Sequence, residues 1–294
     1  MPFVARGRLS QMPTESLSIS DLPNTVIDSV CDHIAQYTVA LNCVFRVEGR
    51  SDSRLIGTGT LVSISGLECI LTAHHVLEEI REPDRLSLMS SFKGEPRGHE
   101  FPLSHLGIYK IARGEQDETG PDIGLIVLPK QSIGALRSEK IFYNIDDRSQ
   151  RFSGVYLERD LGFWFNCGLI GETQRELEPR PGLSNLRGYE GLCGASANPT
   201  ESVDESFDYL EIRIDYGGRT DLPRSFGGMS GGGLWQVLLR KDAGGSIEPE
   251  EYVLSGVTFF QTDIEQSTRR LKCHGRKTIY EYVPKYVREN ITRT

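Results

Sequence analysis

The run Phe226-Gly227-Gly228-Met229-Ser230-Gly231-Gly232-Gly233-Leu234-Trp235 holds five glycines around one serine and one methionine. Such a backbone turns tightly and lets other groups approach it closely. A flexible linker would share that composition, but a strand-like segment, Leu234-Trp235-Gln236-Val237-Leu238, follows at once. A serine on a rigid, glycine-lined turn suits nucleophilic catalysis, because its hydroxyl is exposed and neighbouring amides are free to stabilise an oxyanion. A serine at neutral pH also needs a base, usually a histidine oriented by a carboxylate. Of six histidines, His33, His99 and His105 have no recognisable chemical surroundings, whereas the pair His74-His75 ends an apolar segment, Cys69-Ile70-Leu71-Thr72-Ala73.

The elements that must position these groups are mostly strands. Residues 1–22 are polar and turn-rich; Pro23-Asn24-Thr25 followed by Val26, Ile27, Val30 and Ile34 then reads as one short helix. From Thr38 the chain breaks into short β-rich runs: Val39 to Val47, Gly59 to Ile64, Glu68 to Thr72 and Ile123 to Leu128. After a polar stretch, a second set follows: Gly162 to Gly168, Tyr209 to Ile214, Gly233 to Leu238, Tyr252 to Phe260 and Arg270 to His274. Two groups of strands with frequent turn signals predict an all-β protein rather than a βαβ sheet. The C-terminal segment from Thr278 repeats apolar residues at helical spacing, with Pro284 either kinking that helix or lying near its start.

With Gly57-Thr58-Gly59-Thr60-Leu61-Val62 leading to Thr72-Ala73-His74-His75, then Asp122-Ile123-Gly124-Leu125, then Gly228-Met229-Ser230-Gly231-Gly232, the sequence resembles the trypsin-like, chymotrypsin-fold serine proteases. The resemblance spans roughly residues 38 to 290 and keeps the family's order of base, acid and nucleophile. It implies His75 as the base with His74 its variable neighbour, Asp122 as the orienting carboxylate and Ser230 as the nucleophile. It further implies an oxyanion hole from the amides of Gly228 and Ser230, and a cleft wall from Gly256, Val257 and Thr258. The fold implied is two packed antiparallel β-barrels. Residues 1–37 then form an N-terminal extension with a short helix, 38–135 a first barrel carrying His75 and Asp122, 136–160 a connector, and 161–294 a second barrel carrying Ser230 and closed by a helix.

Several positions depart from the secreted members of that family. Met229 stands where they carry an aspartate that receives a cleaved N-terminus, and Val76 where they carry a disulfide cysteine. With 64 residues after Ser230, no appended peptide-binding domain is expected, and the likeness is to a stand-alone bacterial enzyme of this type. Control is therefore expected from a protein partner or from the 1–37 extension. The pocket base would come from near Arg224, which would favour acidic substrate side chains if its guanidinium points inward. Phe259 and Phe260 alternate along the wall strand, so one is expected in the cleft and the other in the core.

Two alternatives use the same residues. Gly228-Met229-Ser230-Gly231-Gly232 also fits the nucleophile elbow of α/β-hydrolase esterases, with Asp263 and His274 as nominal partners. A catalytically silent binding module of trypsin-like fold is the other.

Composition limits the remaining classes. The chain has 294 residues, 33 Lys+Arg against 41 Asp+Glu, and a net charge of −8, without the clustered basic residues that nucleic acid or an anionic membrane demands. Six scattered cysteines form no metal-ligand spacing, so neither metal nor cofactor is expected. The opening residues contain no apolar signal core, and no run of about 18 apolar residues occurs, so cytoplasm is the expected compartment.

Overall fold

A computed structural model describes residues 22–292 apart from 48–49, 81–84, 90–97, 153–161, 177–186, 189–190, 197, 205, 221 and 242–243. The polar segment expected over residues 1–22 thus lies outside the described residues except for Leu22. The chain is mostly β, in two antiparallel sheets with few helices, as the strand-rich texture predicts.

Helix α1 (Asn24–Ala35) precedes a first sheet built from β1 (Thr38–Val47), β2 (Arg50–Ile64), β3 (Leu67–Thr72), β4 (Arg85–Met89), β5 (Gly98–Pro102), β6 (Gly107–Arg113), β7 (Asp122–Val127) and β8 (Tyr143–Asn144). Its strand order is β5-β4-β1-β2-β3-β7-β6, with the two-residue β8 added parallel to β2. Short helices α2 (His74–Glu78), α3 (Ile133–Arg137) and α4 (Ile145–Phe152) connect these strands and lead to the second half. There a two-residue pair, β10 (Arg175–Glu176) with β11 (Arg187–Gly188), lies apart from the main sheet. That sheet comprises β9 (Phe163–Leu169), β12 (Gly191–Ser196), β13 (Thr200–Asp204), β14 (Phe207–Asp215), β15 (Gly233–Lys241), β16 (Ile247–Gln261) and β17 (Thr268–His274). Its order is β12-β9-β15-β16-β17-β14-β13.

One expectation is corrected. Neither sheet closes into a barrel: among the described residues β5 and β6 remain unpaired edges of the first sheet, and β12 and β13 of the second. The edge strands β5 and β13 have only five residues each, a length that limits the exposed ladder an open edge presents.

The core explains why the two sheets stay together. Val62 and Cys69 of the first sheet, Phe165, Trp235 and Val257 of the second, and Val30 and Ile34 of α1 belong to one apolar cluster. Tyr37 stacks on Trp235 with ring centroids 5.0 Å apart, joining the start of the first sheet to the second. Helix α1 is therefore part of the core and not a detachable arm, although the sequence places it in the extension. At the other end, a π-helical turn over Thr278–Tyr282 runs into α5 (Val283–Asn290), whose first turn holds Pro284. Pro284 thus lies within a continuous helical run over 276–290, directly after the π-helical turn, the kind of local irregularity that accompanies a proline's missing N–H inside a helix. The stretch expected as a connector contains β8 and α4 up to Phe152; residues 153–160 lie outside the described ones.

Candidate active site

The apolar strand β3 carries the chain inward to Ala73, after which α2 begins, so that His74 and His75 occupy its first two positions. Two consecutive helical residues face different ways. His74 is buried and its Nδ1 lies 3.1 Å from the carbonyl of Ala112, a structural bond. His75 remains one-third exposed and directs Nδ1 at Oδ2 of Asp122, 2.7 Å away.

Asp122 opens β7 and is 1% exposed. Its Oδ1 accepts the His75 backbone N–H at 3.0 Å, one of the amides that a helix start leaves without an intrahelical partner. Its Oδ2 takes a second donor besides His75, Nη1 of Arg113 at 2.5 Å. Burial pushes the Asp122 carboxyl up, but the hydrogen bonds and charge of His75, together with the Arg113 cation, outweigh it and hold the group below its ordinary range. The Asp122 backbone N–H donates to Nε2 of His274 at 2.9 Å. His274, on β17, is fully buried and pushed down to about 4 by desolvation, so it sits as a neutral ring that accepts through Nε2. Its Nδ1 is buried without a hydrogen-bond partner. The ring packs against Phe259 at 4.8 Å and Tyr209 at 5.3 Å between centroids.

Ser230 sits on a turn held from both sheets. Thr58 of β2 donates its N–H to the Ser230 carbonyl at 2.8 Å and its Oγ1 to the Gly228 carbonyl at 2.6 Å, while Thr60 Oγ1 reaches the Gly231 carbonyl at 3.0 Å. From β16, the Thr258 carbonyl accepts the Gly231 N–H at 2.7 Å and the Thr258 N–H bonds Gly232 O at 2.9 Å. The glycines are needed here: Gly228 and Gly231 have φ of +99° and +92°, and a side chain on Gly231 would meet the Thr58 carbonyl and Thr72 Oγ1. The Gly227 carbonyl accepts from the Gly171 N–H at 2.8 Å. Because a trans peptide directs C=O and N–H oppositely, the Gly228 N–H points away from Gly171. Among the described residues the amides of Gly228 and Ser230 bond no protein acceptor, which leaves both able to receive an oxyanion.

These groups meet in a cleft of about 410 Å³. His75, Asp122, Gly228 and Ser230 line it, and so do Thr258, Phe259 and Phe260. Among the described residues neither Nε2 of His75 nor Oγ of Ser230 is engaged by another protein group. A bulge between Thr258 and Phe260 in the β16–β17 pairing breaks strict alternation, so both phenylalanines reach the cleft, with Phe259 also buried against His274. A larger depression, about 610 Å³, is lined by Arg213, Thr262, Glu265, Gln266, Thr268 and Arg270, none of which lines the cleft.

Besides the two phenylalanines, two more sequence expectations are placed differently. Arg224 is exposed and does not line the cleft; its carbonyl is held by Nη1 of buried Arg269 at 2.5 Å. The same Nη1 donates to Gln261 Oε1 at 2.9 Å, and no carboxylate among the described residues pairs with Arg269. The esterase arrangement also does not assemble, because Asp263 is exposed in a loop, His274 is enclosed behind Asp122, and the antiparallel sheets are not an α/β-hydrolase architecture.

Thr58, Thr60, Arg113, Asp117, Gln261 and Arg269 carry contacts at this site that sequence reading did not assign. The alternation Gly57-Thr58-Gly59-Thr60 was a usable signal for the first two, since it sets both hydroxyls on one strand face. Among the described residues no cluster of three or more His, Cys, Asp or Glu is arranged to hold a metal ion, and no helix is long and apolar enough to cross a membrane. None of the six cysteines forms a disulfide.

No family model matches the chain, and no curated protein is similar to it. The chain is similar to solved structures, among them these two. One comes from work on the coupled folding and binding of the intrinsically disordered VPg protein of Sesbania mosaic virus, at 15% identity over 83% of this chain and 89% of that one, with a TM-score of 0.40. The other is the tobacco vein mottling virus protease, at 12% identity over 86% of this chain and 83% of that one, with a TM-score of 0.37.

Proposed function

We propose that this protein is a serine endopeptidase in which His75, Asp122 and Ser230 act as one unit. The observation that carries the reading is the hydrogen-bonded His75–Asp122 pair opening onto the same cleft as Ser230. In this reading the Ser230 hydroxyl adds to a peptide carbonyl while its proton passes to Nε2 of His75. The tetrahedral oxyanion is stabilised by the amides of Gly228 and Ser230, a contribution on the order of 3 kcal/mol per donor at comparable sites. Collapse breaks the C–N bond, the His75 proton goes to the leaving amine, and an acyl-Ser230 ester remains. Water, activated by the same histidine, hydrolyses that ester and regenerates the serine. Asp122 keeps the Nδ1–H tautomer of His75, so that Nε2 is the basic face toward the cleft.

The partners of this reading are a protein or peptide substrate and a regulatory protein. Control through the chain's own N-terminus would fall to residues before α1, since α1 is embedded in the core. Incubating the protein with a peptide library and sequencing the products by mass spectrometry tests the reading. Internal cleavages are expected from wild type and none from Ser230→Ala; cleavage by both proteins at equal rates would reject it.

A further inference from the structure

We infer that Arg113 is a positioning residue for the His75–Asp122 pair, tempering the charge of Asp122 and tying the loop beyond β6 to the cleft edge. The inference rests on the serine peptidase reading above. Arg113 and Asp122 are directly opposed in the β6–β7 ladder. The guanidinium places Nη1 2.5 Å from the same Asp122 oxygen that accepts from His75, and Nη2 2.5 Å from Oδ1 of Asp117. Asp117 lines the cleft together with His75, so one cation bridges the buried carboxylate and an exposed one at the rim.

The geometry has an electrostatic consequence. A buried carboxylate beside an imidazole favours its protonated form, and a guanidinium on the shared oxygen offsets that field. The charged and titratable groups around His75 are few. From its own helix come His74 and Glu78, 3.9 Å from each other; β7 supplies Asp122; β6 and its following loop supply Arg113 and Asp117; β17 supplies neutral His274 beneath Asp122. Farther along, Lys272 faces Glu118 at 3.8 Å. Only Arg113 among these sets a full positive charge against the carboxylate. Arg113 thus shares with His75 the Asp122 oxygen that orients the ring and sets a positive charge against that carboxylate.

The test uses the full-length protein, with Arg113→Leu, Arg113→Gln and Arg113→Lys. Ring resonances of His75, assigned by comparison with His75→Gln, are followed by NMR through a pH titration, and kcat/KM is measured over the same range. Both uncharged variants should move the His75 midpoint and the acid limb of kcat/KM upward by about one pH unit. Arg113→Lys should stay near wild type. Should Arg113→Leu fail to fold, Arg113→Gln, of similar length and still able to donate, carries the comparison. A folded, uncharged variant whose midpoint coincides with wild type overturns the inference. The ring titration needs no turnover, so a shift in a protein without Ser230-dependent hydrolysis supports Arg113's role and counts against the peptidase reading alone.

Discussion

The backbone amide of Asp122 donates to Nε2 of His274 across the seam between the two sheets, at 2.9 Å. The acceptor is a neutral ring enclosed by Phe259, Tyr209 and Phe207, and it fixes the main chain of the residue that orients His75. His274 is therefore a support for the acid and is not available as a second base.

The buried ring makes stability depend on pH. Its folded value is pushed to about 4 from the ordinary 6.5, so between these limits the unfolded chain binds a proton that the folded one does not. Stability contributed by His274 is present above about pH 6.5 and is lost as pH falls towards 4, about 3 kcal/mol in all. Chemical denaturation at a series of pH values should show this slope in wild type and a flatter one in His274→Asn.

Asp122→Asn retains the shape of the acid but removes its charge and its preference for one His75 tautomer. Peptidase kcat should fall by on the order of 10⁴-fold with KM little changed, as for the same substitution in the Ser-His-Asp triad generally. Steady-state kinetics on a single peptide check this, and a loss confined to KM would argue that Asp122 only shapes the cleft.

The turn that carries Ser230 is held by hydroxyls from the opposite sheet. Thr58→Val removes the donor to Gly228 O and the acceptor of the Leu169 N–H, leaving both groups buried or half-buried without partners. A loss of about 2 kcal/mol in unfolding free energy is expected, accompanied by lower kcat. Gly231→Ala should be worse, since φ of +92° and contact with the Thr58 carbonyl both oppose a side chain. Urea unfolding of the two variants should rank them in that order.

Specificity separates Arg224 from Arg269. With an exposed side chain, Arg224→Ala should leave the cleavage preferences of a peptide library unchanged. Arg269→Gln releases both the Arg224 carbonyl and Gln261, which lines the cleft, and should alter them. Library profiling of both variants decides; a changed profile in Arg224→Ala alone would contradict the placement.

Strand-rich texture, α1 and the helix after Thr278 were legible because their signals are local. The β9, β14, β15 and β17 segments lie within three residues of their observed limits, and β16 starts five residues earlier than its apolar run, at Ile247. Less visible were β4, β5 and β6, short runs whose pairing partners lie far along the chain, and the open edges, which no local pattern encodes. The same reason hid the supports of the site. Asp122 meets Arg113 through strand register and His274 from 152 residues away, so neither contact has a signature in sequence spacing. Residues 1–37 looked like one removable extension because polarity ends near Pro23, yet Val30, Ile34 and Tyr37 turn out to be core. Removing residues 1–37 would take Val30, Ile34 and Tyr37 out of this cluster and should destabilise the fold.

The most direct measurement is covalent labelling by a fluorophosphonate probe, in which the Ser230 oxygen bonds phosphorus and fluoride leaves. This requires an activated serine but no knowledge of the natural substrate. Wild type should be labelled at Ser230, His75→Ala strongly less, and Ser230→Ala not at all. Absence of labelling in folded wild type, or equal labelling of Ser230→Ala, would contradict the assignment of Ser230 as the nucleophile.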